Sequence, residues 1–320
     1  MKMTAKKKAA AAAVVLALAA ALAAMPRQEA EGESLGVCYR VTGGKNQMFL
    51  LGSIHIGNEG MYPFGEAITQ AMAAADTLVF ECDTESPEAV AQTAALMRSP
   101  DGKTLEDQVS PECYELMKRA AEKAGYPASS LNLLRPWAAA SLLSRSETAA
   151  ELGMEDASSA IALGVENQIR ALTSGGDKQA LYLETAYEQL SAINGFSPAL
   201  QEYMLASTCR AIVEPGTAGG MDQGIAQWPE WWRNGDADAF AQAYADGMAG
   251  DPEPELMAEY HSALVTRRNA GMAERLRGML DQDERHSYFV TVGLLHLVLP
   301  GDSVLAELEG MGYTVERAVP

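Results

Sequence analysis

Histidine and cysteine are scarce in this chain of 320 residues, four of each, and the scarcity limits the chemistry it can carry. Cys38, Cys82, Cys113 and Cys209 never fall in a Cys-x-x-Cys pair, which argues against a thiolate zinc site or a dithiol redox centre. Their even number permits two disulfides in an oxidising compartment, with buried free thiols as the alternative. There is no His-Glu-x-x-His helix, no phosphate-binding loop and no Gly-x-Ser-x-Gly elbow leading from a strand into a helix. Basic residues are in deficit, 24 Lys and Arg against 43 Asp and Glu, giving a formal net charge of −19. Nucleic acid and anionic membranes both demand clustered positive charge, so neither is an expected partner. Beyond residue 24 no apolar run approaches membrane-spanning length, and no Pro-, Gly- or Ser-rich linker divides the chain.

What is present begins with a leader. Lys2, Lys6, Lys7 and Lys8 precede a stretch, 9–24, made only of Ala, Val and Leu, and Ala21, Ala23 and Ala24 offer a small-residue cleavage site. Residues 1–25 therefore read as a signal peptide, or else as an uncleaved N-terminal anchor, and no cysteine follows to carry a lipid. Either way the bulk of the protein is expected outside the cytoplasm, secreted, periplasmic or held at the cell surface. Residues 34–320 are long enough to bury a sizeable core and read as one domain.

Two β-prone runs, 37–41 and 47–51, flank Gly43-Gly44 in a hairpin pattern. A helix over 65–75 and an apolar strand over 77–80, ending at Glu81, complete a strand–helix–strand unit. Helices are expected over 110–124, 136–151, 158–173, 198–213 and 236–249, with a strand over 180–183 ending at Glu184. A long helix over 253–280 precedes a strand at 288–292, a helix at 302–311 and a closing strand at 313–316. The pattern predicts an α/β fold whose mixed central sheet draws strands from both ends of the chain, around a helical insertion at about 105–280.

Gly52-Ser53-Ile54-His55 and Gly293-Leu294-Leu295-His296 each follow a β-prone run. The two motifs form a weak internal repeat, and ligands in open α/β sheets gather at the carboxyl ends of strands, where both histidines fall. Imidazole there can bind a divalent metal or serve as acid and base, while hydrogen-bonded core histidines would give the same pattern. Glu81 ends an apolar strand at the same end of the sheet. His55, Glu81 and His296 would suit Mn, Co, Zn or Fe with positions left open. Glu184 reads as a cap for the following helix, His261 and His286 as solvated surface groups, and Trp228, Trp231 and Trp232 as core or lid packing. Arg268 and Asn269 offer a guanidinium and an amide that could hold an oxyanion, or could form an ordinary salt-bridged helix face.

Residues 49–57, 76–81, 134–137, Leu183-Glu184-Thr185 with Gln189, Arg268-Asn269 and 292–297 together resemble the TraB/GumN family in order and spacing. That family is related to the Tiki proteins, described as metal-dependent proteases, and distantly to erythromycin-esterase-like and haem-binding ChaN-like proteins. The resemblance implies a paired Gly-x-x-His site that maps onto His55, His296, Glu81 and Arg268. Two departures stand out: the family's His-Leu-Val-Gly run is His296-Leu297-Val298-Leu299-Pro300 here, and its Gly-Leu-Asp is Gly164-Val165-Glu166. The resemblance implies a metal-dependent hydrolase, a peptidase with a peptide or protein substrate, using Mn, Co or Zn. A non-catalytic binding protein for a peptide, metal or haem is the alternative.

Overall fold

A computed structural model describes residues 32–318 except 101, 155 and 215–224. The leader over 1–25 lies outside the described residues. Six strands, β1 (Cys38–Thr42), β2 (Gln47–Ser53), β3 (Thr77–Cys82), β4 (Gln179–Glu184), β5 (Ser287–Gly293) and β6 (Thr314–Arg317), form one sheet in the order β4-β3-β5-β2-β1-β6. β2, β5, β3 and β4 run parallel, and β1 pairs antiparallel with both β2 and β6. The expected hairpin joins β1 to β2 with Cys38 opposite Leu51, its turn passing through Gly43 at φ 109°. Only glycine adopts that φ readily. β3 is buried along its whole length, as a parallel strand covered on both faces must be.

Side chains alternate across the sheet and divide the core in two. Leu51, Leu78, Phe80 and Phe289 meet Ile68, Val165, Ile169 and Trp232 on one face. Leu50, Val79, Val290 and Val292 meet Met272, Leu276, Val304 and Leu308 on the other. The chain leaving β2 therefore turns onto the first face through the helix Glu66–Ala74, whereas the chain leaving β5 turns onto the second through Val304–Gly310. Adjacent parallel strands whose exits go to opposite faces open a crevice at their carboxyl ends. His55 and His296 follow just those two strands.

The helical insertion has its own core, where Met117, Leu143, Leu205, Cys113 and Cys209 pack together. All four cysteines are free and buried, and burial pushes the Cys38, Cys82 and Cys209 thiols up to about 12. Of the two cysteine readings, buried thiols is the one observed. Among the described residues no helix is long and apolar enough to cross a membrane.

Several elements differ from the sequence pattern. The helix expected over 253–280 is two, Pro254–His261 and Arg267–Asp281, joined by a π-helical turn at Ser262–Thr266. Continuous 3.6-residue periodicity hides a single inserted residue, which is what a π turn amounts to. The helix expected over 158–173 breaks into Ala157–Ala162 and Val165–Thr173, with Gly164 between them in extended backbone as the N-cap of the second. Helices Pro87–Met97 and Trp228–Asn234 were not anticipated, the helix expected after Glu184 spans Ala186–Asn194, and Leu295–Val298 makes one helical turn around His296.

Candidate active site

Both glycines of the paired motifs are required by close approach. A Cβ on Gly52 would lie 2.3 Å from Cδ1 of Leu294, and one on Gly293 would lie 3.1 Å from Oε2 of Glu81 and 3.4 Å from Cδ2 of His296. The motifs also touch through their backbones, Leu294 N–H donating to the Ser53 carbonyl at 2.9 Å. Trp232, fully buried, donates its indole N–H to the Gly52 carbonyl at 2.8 Å, so this tryptophan packs in the core and pins the end of β2.

Glu81 is 3 % exposed, and each oxygen is held. Oε1 accepts from Nη2 of Arg268 at 2.5 Å and from Nε2 of Gln189 at 2.6 Å, while Oε2 accepts from the Gly293 N–H at 2.6 Å. Burial alone would raise its pKa, but His296, Arg268, His55 and the Gly293 N–H outweigh it and hold the carboxyl well below the usual carboxylate range. Arg268 also donates from Nε and Nη2 to Glu184, at 3.0 and 2.6 Å to Oε2. One buried guanidinium thus joins two buried carboxylates. Glu184 is therefore not the expected helix cap; Thr185 caps that helix in a capping box with Glu188. Burial pushes the Glu184 carboxyl up despite Arg268.

His296 is buried, and its Nδ1 lies 2.6 Å from Oδ1 of Asn269. Which atom of Asn269 faces the ring follows from its other contacts. Its Nδ2 lies 2.9 Å from the Asp302 carbonyl and 3.2 Å from Asp302 Oδ1, both acceptors, so the amide oxygen must face the imidazole. His296 therefore carries its proton on Nδ1 and presents a bare Nε2. Burial holds its pKa down to about 4, so the ring is neutral through the physiological range. Asn269 is fully buried and orients a histidine; it does not offer its amide to an oxyanion.

His55 is the exposed member of the pair, on a loop held from both sides. Val165 N–H donates to the Ile54 carbonyl and Gly57 N–H to the Ala160 carbonyl, each at 3.0 Å, and Tyr62 hydroxyl donates to the Leu163 carbonyl at 2.6 Å. A Cβ on Gly164 would lie 2.3 Å from the His55 oxygen. Glu166, two residues on, pairs with Arg170 at 2.7 Å and interacts electrostatically with His55 and Glu81. Its carboxyl is pushed up by burial. The acid that departs from the family pattern therefore sits in the electrostatic field of the site.

Sequence reading missed Gln189 as a partner of Glu81, Glu184 as a partner of Arg268 and Asp302 as a partner of Asn269. The strand-end position of Glu184 was the one available signal. His261 is not a solvated surface group: its Nδ1 meets the Tyr244 hydroxyl and its Nε2 meets Asp302 Oδ2, each at 2.8 Å. His286 is tied to Asp76 at 3.0 Å. It helps line a cavity of about 340 Å³ with residues 42–47 and Arg285. That cavity opens at the amino ends of β2 and β5, away from both Gly-x-x-His motifs. The chain also spells Gly-x-Ser-x-Gly at Gly32-Glu33-Ser34-Leu35-Gly36, but Ser34 Oγ is spent on the carbonyls of Met61 and Pro63.

The donor set fits a divalent ion in kind: a bare imidazole nitrogen on His296, a second imidazole on His55 and an ionised carboxylate on Glu81. The orphaned, buried hydroxyl of Ser53 adds an unsatisfied polar atom at the end of β2. Among the described residues no group of three His, Cys, Asp or Glu is already drawn together as a metal cage. Oε1 of Glu81 accepts two hydrogen bonds and Oε2 only one, so Oε2 keeps a lone pair with which it could enter a ligand set.

YbaP, an uncharacterised protein of Escherichia coli (strain K12), is 22% identical over 267 residues, covering 81% of this chain and 87% of its own. YbaP of Shigella flexneri matches to the same extent. No solved structure matches. The model of the TraB/PrgY/gumN family matches residues 37–317, from just before β1 to the end of β6, taking in both Gly-x-x-His motifs, Glu81 and Arg268, and the chain belongs to that family.

Proposed function

We propose that this protein is a hydrolase acting outside the cytoplasm, a peptidase that binds one divalent ion, Mn, Co or Zn, through His55 and His296 with Glu81. The observation that carries the reading is the 2.6 Å contact between His296 Nδ1 and Asn269 Oδ1, which leaves Nε2 bare beside an ionised Glu81. Metal-binding histidines are characteristically oriented in this way by an acceptor on the other ring nitrogen. A divalent ion, when bound, supplies Lewis acidity toward a substrate carbonyl. Glu81 supplies negative charge that Arg268 fixes in place, and Gly293 gives the substrate and Glu81 a backbone without a side chain to pass. His55, exposed on its clamped loop, is the group a substrate reaches first.

The test is metal content of the purified protein together with cleavage of a peptide library in added Mn, Co and Zn. Uptake of metal and cleavage of peptides, both lost in H55A and H296A, is the expected result. Full metal retention in the double variant overturns the reading. The hydrogen bonds from Arg268, Gln189 and Gly293, which restrain Glu81 from acting as a base, favour a second reading, a binding protein for a peptide, metal or haem, which takes up ligand and leaves every peptide intact.

A further inference from the structure

Beyond the site, a chain of hydrogen bonds runs from His296 to the partly exposed His261. Asn269 joins His296 to Asp302, and the second carboxylate oxygen of Asp302, Oδ2, accepts from the Thr266 hydroxyl at 2.6 Å and meets Nε2 of His261 at 2.8 Å. Tyr244, buried, closes the chain with its hydroxyl 2.8 Å from His261 Nδ1. A phenol donating to Nδ1 fixes the His261 proton on Nε2, the nitrogen that faces the carboxylate.

The π turn Ser262–Thr266 is what makes the chain possible. In a π turn the hydrogen bond spans five residues, so His261 and Thr266, five apart, stack on one face. In an α-helix five residues turn about 500°, which would point the two side chains well apart. Asn269, three residues after Thr266 on the next α-helical turn, continues the same face. The inserted residue therefore aims three side chains at Asp302, which reaches them from the loop before Val304–Gly310.

We propose that Asp302 and His261 are positioning residues that set the tautomer of His296 through Asn269. The amide of Asn269 is nearly symmetric in shape, and only its neighbours decide which end faces the ring. Asp302 offers it two acceptors and no donor, so the NH₂ is captured and the oxygen is left for His296. His261 and Thr266 hold Asp302 in the orientation that does this. The inference rests on His296 as the working histidine, yet its readout is the protonated nitrogen of a ring and not turnover, so it can stand or fall apart from the peptidase reading.

The experiment is ¹⁵N NMR of histidine-labelled protein, in which the two imidazole tautomers give distinct nitrogen shifts, with metal affinity measured alongside. Wild type is expected to show His296 protonated on Nδ1. Asp302→Asn leaves the backbone carbonyl in place but presents a donor where Oδ1 was an acceptor, which loosens the hold on Asn269, and is expected to move part of the His296 signal to the Nε2–H pattern and to weaken metal binding about 10- to 100-fold. His261→Gln, which keeps a donor toward Asp302, is expected to preserve the Nδ1–H pattern, and His261→Leu to erode it. Thr266→Val, which deletes one hydroxyl, provides a milder variant should the others unfold. A His296 that stays fully Nδ1–H in folded Asp302→Asn overturns the proposal, as does a wild-type ring already protonated on Nε2.

Discussion

Replacing Arg268 with methionine keeps an unbranched apolar stem and removes the guanidinium that bonds both Glu81 and Glu184. The three side chains are 12 %, 4 % and 8 % exposed, so water cannot take over the lost hydrogen bonds. Removing one partner of a buried ion pair costs about 3–5 kcal/mol, mostly through the charge left behind, and here two carboxylates are left. That is a large part of the 5–15 kcal/mol typical of a folded domain. The loss should depend on pH with a definite sign. Without Arg268 the buried carboxyls hold a proton in the folded state at a pH where the unfolded chain has released it, so the stability of the variant falls as pH rises above the ordinary carboxylate value. Urea unfolding followed by tryptophan fluorescence at pH 5 and pH 8, with equal m-values, reads the effect. We expect the larger deficit at pH 8, and partial recovery when Glu184→Gln is added, because one of the stranded charges is then gone. Arg268→Lys, which cannot fork to both carboxylates, should fall between. A deficit under about 1 kcal/mol, or one equal at both pH values, would refute the view that Arg268 is the charge holding the two acids.

Two further outcomes follow from the site. Gly293→Ala places a methyl 3.1 Å from Glu81 Oε2, so the 2.6 Å bond from the Gly293 N–H must lengthen, with an expected loss of about 1–3 kcal/mol; an unchanged melting temperature sinks this account. His296, with its pKa held down to about 4 by burial, binds a proton in the unfolded chain before it does in the folded one. Its contribution to stability is therefore complete above the ordinary histidine value and is lost as pH falls toward 4, by up to roughly 3 kcal/mol. His286, whose pKa is raised by its hydrogen bond to Asp76, acts in the opposite sense, so the difference between wild type and His296→Gln isolates the term. Parallel stability curves for the two between pH 5 and 7 would contradict it.

The strands and most helices were legible because their signals are local. β3 and β5 are apolar runs bounded by turns, and Ser110, Ser197 and the prolines after them mark helix starts that the backbone adopts. The order of the sheet's strands is not local and was not read from the sequence, which showed only that strands from both ends of the chain share one sheet. Glu184 ends β4 as the pattern predicted, and Glu81 stands one residue before the end of β3. What each of them holds was beyond the sequence: Arg268 lies 187 residues from Glu81 and 84 from Glu184. Hydropathy shows that a carboxylate sits at a strand end, never which cation will face it.

The sequence by itself determined the α/β architecture and the family, and it put His55 and His296 each just after a strand. Tertiary structure decided the chemistry of that pair. It buried His296 and left His55 exposed, and it hydrogen-bonded Glu81 to Arg268, Gln189 and Gly293. It turned Asn269 from a supposed oxyanion donor into the acceptor that sets a histidine's proton. The physical reason is the same in each case. A residue's type and periodicity fix which face it occupies, but its protonation and hydrogen bonds depend on groups that only a folded chain brings within 3 Å.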